Sequence, residues 1–193
     1  DYKYISGGNK KLVFVYGRIA AYAKDLSDTA DILQAIKIYP ISDEIIKICN
    51  WLHFDWTNKL FKGSTDYLEN DYNEENGAVN KIIEIVNKNA KTYILAIGAI
   101  TNVALAIKKE PKIINKIEVI WLGGHSFLSK DNKEFNFKQD VQAVRNVFES
   151  KVKLTIIPCK NVASNLRTSI YELEHFLKGK SELCDYLCQR FYN

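Results

Sequence analysis

Apolar and polar positions along the chain follow two patterns, and each pattern predicts a different element. Short, continuous apolar runs that are in part β-branched are typical of buried strands. Between these runs, apolar residues recur every three or four positions, which is the spacing of amphipathic helices. The predicted strands are Lys11–Tyr16, Tyr93–Ile97, Ile117–Leu122 and Leu154–Ile157. The predicted helices are Ile19–Ile38, Asp43–Leu52 with Ser42 as its N-cap, Glu75–Asn89, Thr101–Lys109, a short helix opened by Pro111, Asp140–Ser150, Ser169–Leu177 and Ser181–Tyr192.

The order of these elements predicts the fold class. Tyr93–Ile97, Thr101–Lys109 and Ile117–Leu122 form a strand–helix–strand unit, which makes the two strands parallel and the crossover right-handed. Strands that alternate with helices predict an α/β fold, a Rossmann-like and mostly parallel sheet with helices on both faces. The aromatic and polar stretch Trp51–Asn73 is predicted to be an irregular connection. Residues 1–193 are expected to form a single domain, and the absence of Met, even at position 1, indicates a fragment or a chain whose natural start is not shown.

Composition narrows the class of protein. The net charge is +4, but Lys alternates with Glu and Asp and no basic stripe forms, which argues against nucleic acid as a partner. No apolar run approaches the ~18 residues of a membrane span, and the N-terminus has no signal-peptide core, so no membrane association is expected. The four cysteines lack metal-knuckle spacing and fit a reduced, cytoplasmic protein.

Candidate chemistry lies at the carboxyl ends of the strands, where open α/β sheets bind their ligands. These ends carry Gly98–Ala99, Gly123–His125 and Cys159–Asn161, and the polar segment Ser126–Asn136 follows one of them directly. We therefore expect a site at this edge of the sheet.

Glu134 and Asn136 are the clearest pair of candidate ligand residues. They are two positions apart, so in an extended loop their side chains point to the same side. A carboxylate accepts hydrogen bonds and a carboxamide both donates and accepts, which suits a vicinal diol such as ribose O2 and O3. The alternative is that both residues cap the helix that begins near Asp140.

Several segments together resemble the nucleoside hydrolase family, and they cover roughly Ile41 to Tyr192. Their order and spacing are more specific than any one of them alone. The segments are Ala96–Asn102, which is similar to the family's LALGPLTN with Ala99 in place of Pro, Trp121–Gly124, Glu134–Phe137 followed by Asp140, Ile156–Pro158 and Lys62–Ser64.

The resemblance implies an enzyme that hydrolyses the N-glycosidic bond of ribonucleosides of the inosine and uridine type to base and ribose, as in purine and pyrimidine salvage. It implies Ca²⁺ at the carboxyl edge of the sheet, where the metal binds a water and the ribose hydroxyls. Carried over by position, Ile97 offers its backbone carbonyl to the metal, and Glu134 and Asn136 hold the ribose. The family resemblance also implies a homodimer or homotetramer.

The family's aspartate cluster, DxDxxxDD at the first strand end, has no counterpart in this sequence. The family's aspartate near the C-terminus has none either, so the resemblance implies a domain that is incomplete at both ends. The nearest acidic group is Asp25, Asp28 and Asp31, which are candidate metal ligands, and Asp28 and Asp31 are also candidate catalytic residues. Their spacing of three equally fits one solvated helical stripe. His125 is a further catalytic candidate that could protonate a leaving base, or it is a loop histidine with a structural hydrogen bond.

Two other functional classes stay open beside the enzyme. One is a non-catalytic relative or fragment that serves as a nucleoside- or ribose-binding or interaction module. The other is a Rossmann-like nucleotide-binding protein, against which the missing glycine fingerprint counts.

Overall fold

The described strands form a single mixed sheet. The computed structural model describes residues 10–16, 19–23, 41–70 and 76–192. Within these residues, six strands pair in the order β3-β2-β1-β4-β5-β6. The strands are β1 (Lys10–Tyr16), β2 (Ile19–Ala23), β3 (Leu60–Lys62), β4 (Lys91–Ala96), β5 (Ile117–Leu122) and β6 (Lys153–Ile157).

Four neighbouring strands of the sheet are parallel. β1, β4, β5 and β6 run in one direction, with Ala96 opposite Trp121 and Leu122 opposite Ile157. β2 and β3 form an antiparallel edge beside β1. Because the parallel strands share one direction, their carboxyl ends lie at one edge of the sheet.

Helices make the connections between the parallel strands. These helices contact strands of the sheet, and neighbouring helices of the set pack on one another. The mostly parallel α/β sheet flanked by helices that the sequence predicts is confirmed. The connecting helices are α2 (Gly77–Lys88), α3 (Thr101–Lys109), a 3-10 turn (Pro111–Lys116), α4 (Phe135–Lys138) and α5 (Val141–Glu149).

The core between sheet and helices explains why α2 forms where it does. Asn76 caps the helix by accepting a hydrogen bond from the Val79 amide at 3.0 Å. Apolar residues then recur at helical spacing, and Ile82 and Val86 are fully buried against β4 and α3. Burying side chains of this size stabilises the fold by about 1.5–3 kcal/mol each.

The described residues divide into two compact units. One holds β1, β2 and the described residues between 57 and 163. The other holds residues 41–56 and 164–192, with α1 (Ile41–Trp51), a 3-10 turn (Ala163–Asn165) at its boundary, α6 (Ile170–Leu177) and α7 (Glu182–Tyr192). Within the second unit, the Trp51 indole lies 5.1 Å from the Tyr186 ring and donates to the Glu182 carboxylate at 2.5 Å. The single domain expected for residues 1–193 stays a prediction.

Three local predictions are wrong. Ile19–Ala23 is strand β2 and not the start of a helix, because pairing with β1 and β3 outweighs its helical spacing; the rest of Ile19–Ile38 lies outside the described residues. The predicted irregular connection contains β3. The helix predicted over Asp43–Leu52 begins at Ile41, so Ser42 lies inside it and does not cap it. Among the described residues, no helix has the length and apolarity needed to cross a membrane.

Candidate functional site at the carboxyl edge of the sheet

The carboxyl ends of β4, β5 and β6 come together at one edge, as the sequence predicts. Hydrogen bonds continue past the last strand residues, since the Gly123 amide donates to the Ile157 carbonyl at 3.2 Å and the Cys159 amide donates to the Gly124 carbonyl at 2.9 Å. The polar segment after β5 therefore starts from a fixed backbone.

Two glycines shape the end of β5 for different reasons. A Cβ on Gly123 would lie 2.3 Å from the Trp121 indole, so this position has room for hydrogen only. Gly124 has a φ of +75°, a left-handed conformation that favours glycine. The Trp121 indole is 1% exposed and donates to the Gly98 carbonyl at 2.9 Å, which ties the end of β5 to the loop after β4.

Glu134 is buried and reaches back to the end of β5. One of its carboxylate oxygens accepts hydrogen bonds from the Gly124 and Phe137 amides, each at 2.9 Å. The second bond makes Glu134 the N-cap of α4, so the extended conformation predicted for this segment is wrong from Phe135 onward. The helix that Glu134 caps is this short one, because the helix after Asp140 is capped by Asp140 itself.

Asn136 also contacts the end of β5. Its side-chain amide donates to the Leu122 carbonyl at 2.8 Å, and Gln139 approaches its oxygen at 3.5 Å. The structure thus brings the predicted pair Glu134 and Asn136 to the same strand end, where both hold the backbone. Their contact with ribose stays a prediction.

Ile97 and His125 lie at this edge as expected. Ile97 is the first residue after β4, and its role as a carbonyl donor to a metal stays a prediction. The His125 amide donates to the Asn132 side chain at 2.6 Å, while its Nδ1 is buried without a hydrogen-bond partner among the described residues. A buried nitrogen of this kind is available to a ligand or a water.

The loop after β5 contains an aspartate, Asp131, with lysines near it. The Lys133 amide donates to the Asp131 carboxylate at 3.0 Å and holds its pKa below the usual range, with help from the positive charges of Lys160 and Lys133. The loop beside His125 therefore carries an ionised carboxylate among lysines at neutral pH.

The described residues do not form a complete calcium site. They contain no group of three or more His, Cys, Asp or Glu side chains that could hold a metal ion. Ca²⁺ takes six to eight oxygen ligands, mostly carboxylates, and one backbone carbonyl beside Glu134 does not fit that requirement. Asp25, Asp28 and Asp31 lie outside the described residues.

Sequence reasoning missed a buried polar network behind the site. Asp140 and Asn102 are 3% and 0% exposed, and both accept hydrogen bonds from distant parts of the chain. Asn102 accepts from the Ser64 amide at 2.9 Å and from the Asn76 side chain at 3.4 Å. The Thr-Asn pair at the start of α3 was a signal of family resemblance, but nothing in its local pattern indicates these partners.

The fold is that of an α/β protein of the Rossmann-like class. Its polar loops lie at the carboxyl ends of the parallel strands. The sequence profile of the inosine-uridine preferring nucleoside hydrolase family matches residues 37–193, and the chain belongs to this family. This confirms the resemblance identified from the sequence motifs.

Individual relatives agree with the family assignment. The chain is 27% identical over 153 residues to "Probable uridine nucleosidase 1" of Oryza sativa subsp. japonica, covering 76% of this chain and 46% of the relative. It is 35% identical over 106 residues to "Uridine nucleosidase 1" of Arabidopsis thaliana, covering 51% and 31%. The chain thus spans less than half the length of these curated relatives.

A solved structure shows the same fold. The purine-preferring ribonucleoside hydrolase from Gardnerella vaginalis superposes with a TM-score of 0.52 at 27% identity, over 62% of this chain and 39% of that one.

Proposed function

We propose that the protein hydrolyses the N-glycosidic bond of ribonucleosides and releases the base and ribose. The observation that carries the proposal is the family match over residues 37–193. The site supports it, because the segments after β4 and β5 meet at the sheet edge where such folds bind ligands.

In this proposal, Glu134 and Asn136 bind the ribose hydroxyls. A carboxylate has about four lone-pair positions, and two of those on Glu134 are taken by the Gly124 and Phe137 amides. The remaining positions can accept hydrogen bonds from a sugar diol. His125 is proposed to face the leaving base, since its Nδ1 lacks a partner among the described residues.

Calcium activation belongs to the same proposal. Bound Ca²⁺ would supply an activated water, with the Ile97 carbonyl as one ligand and Asp25, Asp28 and Asp31 as the candidate carboxylates. The donors of the described residues do not fit Ca²⁺ by themselves. The proposal also includes a cytoplasmic location, a role in nucleoside salvage and assembly into a homodimer or homotetramer.

A second candidate is a non-catalytic ribose- or nucleoside-binding module. The observation that favours it is the engagement of Glu134 and Asn136 with Gly124, Phe137 and Leu122, which secures the loop after β5. Residues held in this way can bind a sugar without turning it over.

The deciding experiment incubates the purified chain with inosine or uridine, with Ca²⁺ or with chelator, and measures free base and ribose by chromatography. The enzyme proposal predicts that the parent chain releases both products and that Glu134→Gln abolishes this release. Glutamine can keep its oxygen on the two backbone amides, so the N-cap survives while the negative charge is lost. Glu118→Gln is the control, because Glu118 lies at the start of β5, at the opposite edge of the sheet.

Calorimetric titration of ribose and of Ca²⁺ into the chelator-treated chain separates the two candidates. Ribose binding without product release supports the binding module and contradicts the enzyme proposal. Absence of both product release and ribose binding at millimolar concentrations contradicts both candidates.

A further inference from the structure

One buried carboxylate joins three segments of the chain behind the candidate site. Asp140 is 3% exposed. Its Oδ1 accepts a hydrogen bond from the Ala143 amide at 2.9 Å, and its Oδ2 accepts from the Thr101 hydroxyl at 2.7 Å and from the Leu68 amide at 2.9 Å. Each donor belongs to a different part of the chain.

These contacts exceed what an N-cap needs. Capping α5 requires only the bond to Ala143, and an exposed aspartate provides that equally well. Burying the carboxylate is costly unless its oxygens are satisfied. The bonds from Thr101 and Leu68, which lie 39 and 72 positions away in sequence, offset that cost.

Two of the three segments carry the candidate site residues, and the third follows β3. Thr101 is the first residue of α3 and directly follows the loop that contains Ile97. Asp140 ends the segment that carries Glu134 and Asn136. Leu68 lies in the segment after β3, which Asn102 holds through the Ser64 amide.

We propose that Asp140 is a positioning residue of the ribose site: it locks the loop after β4 to the segment after β5 through the Thr101 hydroxyl. The inference rests on the proposed function, because it assigns Asp140 to the placement of Glu134 and Asn136. Asp140 itself lies behind the site and touches no ligand in this proposal.

The test compares Thr101→Val with Thr101→Ser, since valine has the shape of threonine and serine keeps the hydroxyl. Ribose binding is measured by calorimetry at a temperature where circular dichroism shows every variant fully folded. Thr101→Val is expected to weaken ribose binding about tenfold, the effect of roughly one lost hydrogen bond, and Thr101→Ser is expected to restore it.

A core variant controls for general destabilisation. Val147 is 1% exposed on α5 and its side chain is apolar, so Val147→Ala lowers stability without removing any of the three hydrogen bonds to Asp140. At equal fraction folded, Val147→Ala is expected to bind ribose as the parent chain does. Equal weakening of ribose binding by Val147→Ala and Thr101→Val would overturn the proposal.

A second readout does not depend on ribose. Amide hydrogen exchange is measured at Gly124, whose N–H donates to Glu134. Thr101→Val is expected to accelerate exchange at Gly124 more than Val147→Ala does at matched stability. If the parent chain binds no ribose, the proposed function fails while this exchange rate still decides the positioning role; an unchanged rate in Thr101→Val refutes it.

Discussion

The fit between Gly123 and the Trp121 indole makes a quantitative prediction. In Gly123→Ala the new Cβ would stand 2.3 Å from two carbons of the indole, well inside van der Waals contact. The indole is 1% exposed and belongs to the hydrophobic core, so the ring or the end of β5 must shift. Overpacking of this kind costs about 1–3 kcal/mol.

Moving the ring also breaks a hydrogen bond. The Trp121 indole N–H donates to the Gly98 carbonyl at 2.9 Å, and leaving a buried donor unsatisfied costs about 1–3 kcal/mol. The two terms together predict that Gly123→Ala lowers the free energy of unfolding by about 2–5 kcal/mol, since both arise from one displacement and add only in part.

The measurement is urea unfolding at 25 °C followed by circular dichroism, with Gly77→Ala as the matched control. A Cβ on Gly77, the first residue of α2, would meet its nearest atom at 3.6 Å, an ordinary contact. Gly77→Ala is expected to change stability by less than ~1 kcal/mol or to stabilise the chain.

The reasoning has a clear point of failure. If Gly123→Ala loses less than about 0.5 kcal/mol, the indole does not lie against Gly123. A smaller ring gives a second check: the double variant Trp121→Phe/Gly123→Ala is expected to lose less than the sum of the two single variants, because phenylalanine leaves room for the new Cβ.

Three further predictions concern other contacts. Burial raises the pKa of Glu118, but hydrogen bonds from Lys153 and Lys91 at 3.0 Å outweigh burial and hold it below its ordinary value of 4.5. The stability difference between the parent chain and Glu118→Gln should therefore be constant above pH 4.5 and shrink as the pH falls further; a difference that grows in acid contradicts this. Ser169→Ala removes a capping box from α6 and should cost about 1 kcal/mol in urea unfolding, with Ser169→Asn nearly neutral. Asn102→Ala leaves a buried backbone amide without its acceptor and should cost about 1–3 kcal/mol, and a loss below 0.5 kcal/mol would show that this acceptor contributes little.

The strand–helix–strand unit was predictable because its signals are local. The predicted elements Tyr93–Ile97, Thr101–Lys109 and Ile117–Leu122 match β4, α3 and β5 with shifts of at most two residues. Continuous apolar runs and helical spacing reflect burial by the immediate neighbours of each element. The shared carboxyl edge then follows from parallel pairing alone.

The edge strands were not predictable, because long-range pairing decides them. Ile19–Ala23 has apolar residues that fit either period, and β1 and β3 select the strand. β3 has only three residues, which are too few to show a periodic pattern in the sequence. Both strands owe their conformation to partners that the local sequence does not specify.

The contacts of Glu134 and Asn136 were hidden for a related reason. Their side chains were expected either to bind ribose or to cap a helix, and the structure shows them bonded also to the Gly124 amide and the Leu122 carbonyl, backbone groups ten and fourteen positions earlier. Any residue type supplies such distant backbone groups, so a pattern of residue types does not reveal these two contacts. The position of the pair at the end of β5 was nevertheless correct.

These contacts also connect the segments of this chain that carry the family resemblance. The Trp121 indole bonds to Gly98, Gly123 leaves room for that indole, and Gly124 donates to Glu134. The motif after β4, the glycine pair after β5 and the Glu-Phe-Asn segment therefore support one another physically, and a change in one displaces the next. Both proposed functions require this scaffold, because a ribose can be held only where the ends of β4 and β5 keep their spacing. The step that separates an enzyme from a binding module is therefore the supply of an activated water, which product release from inosine or uridine measures directly.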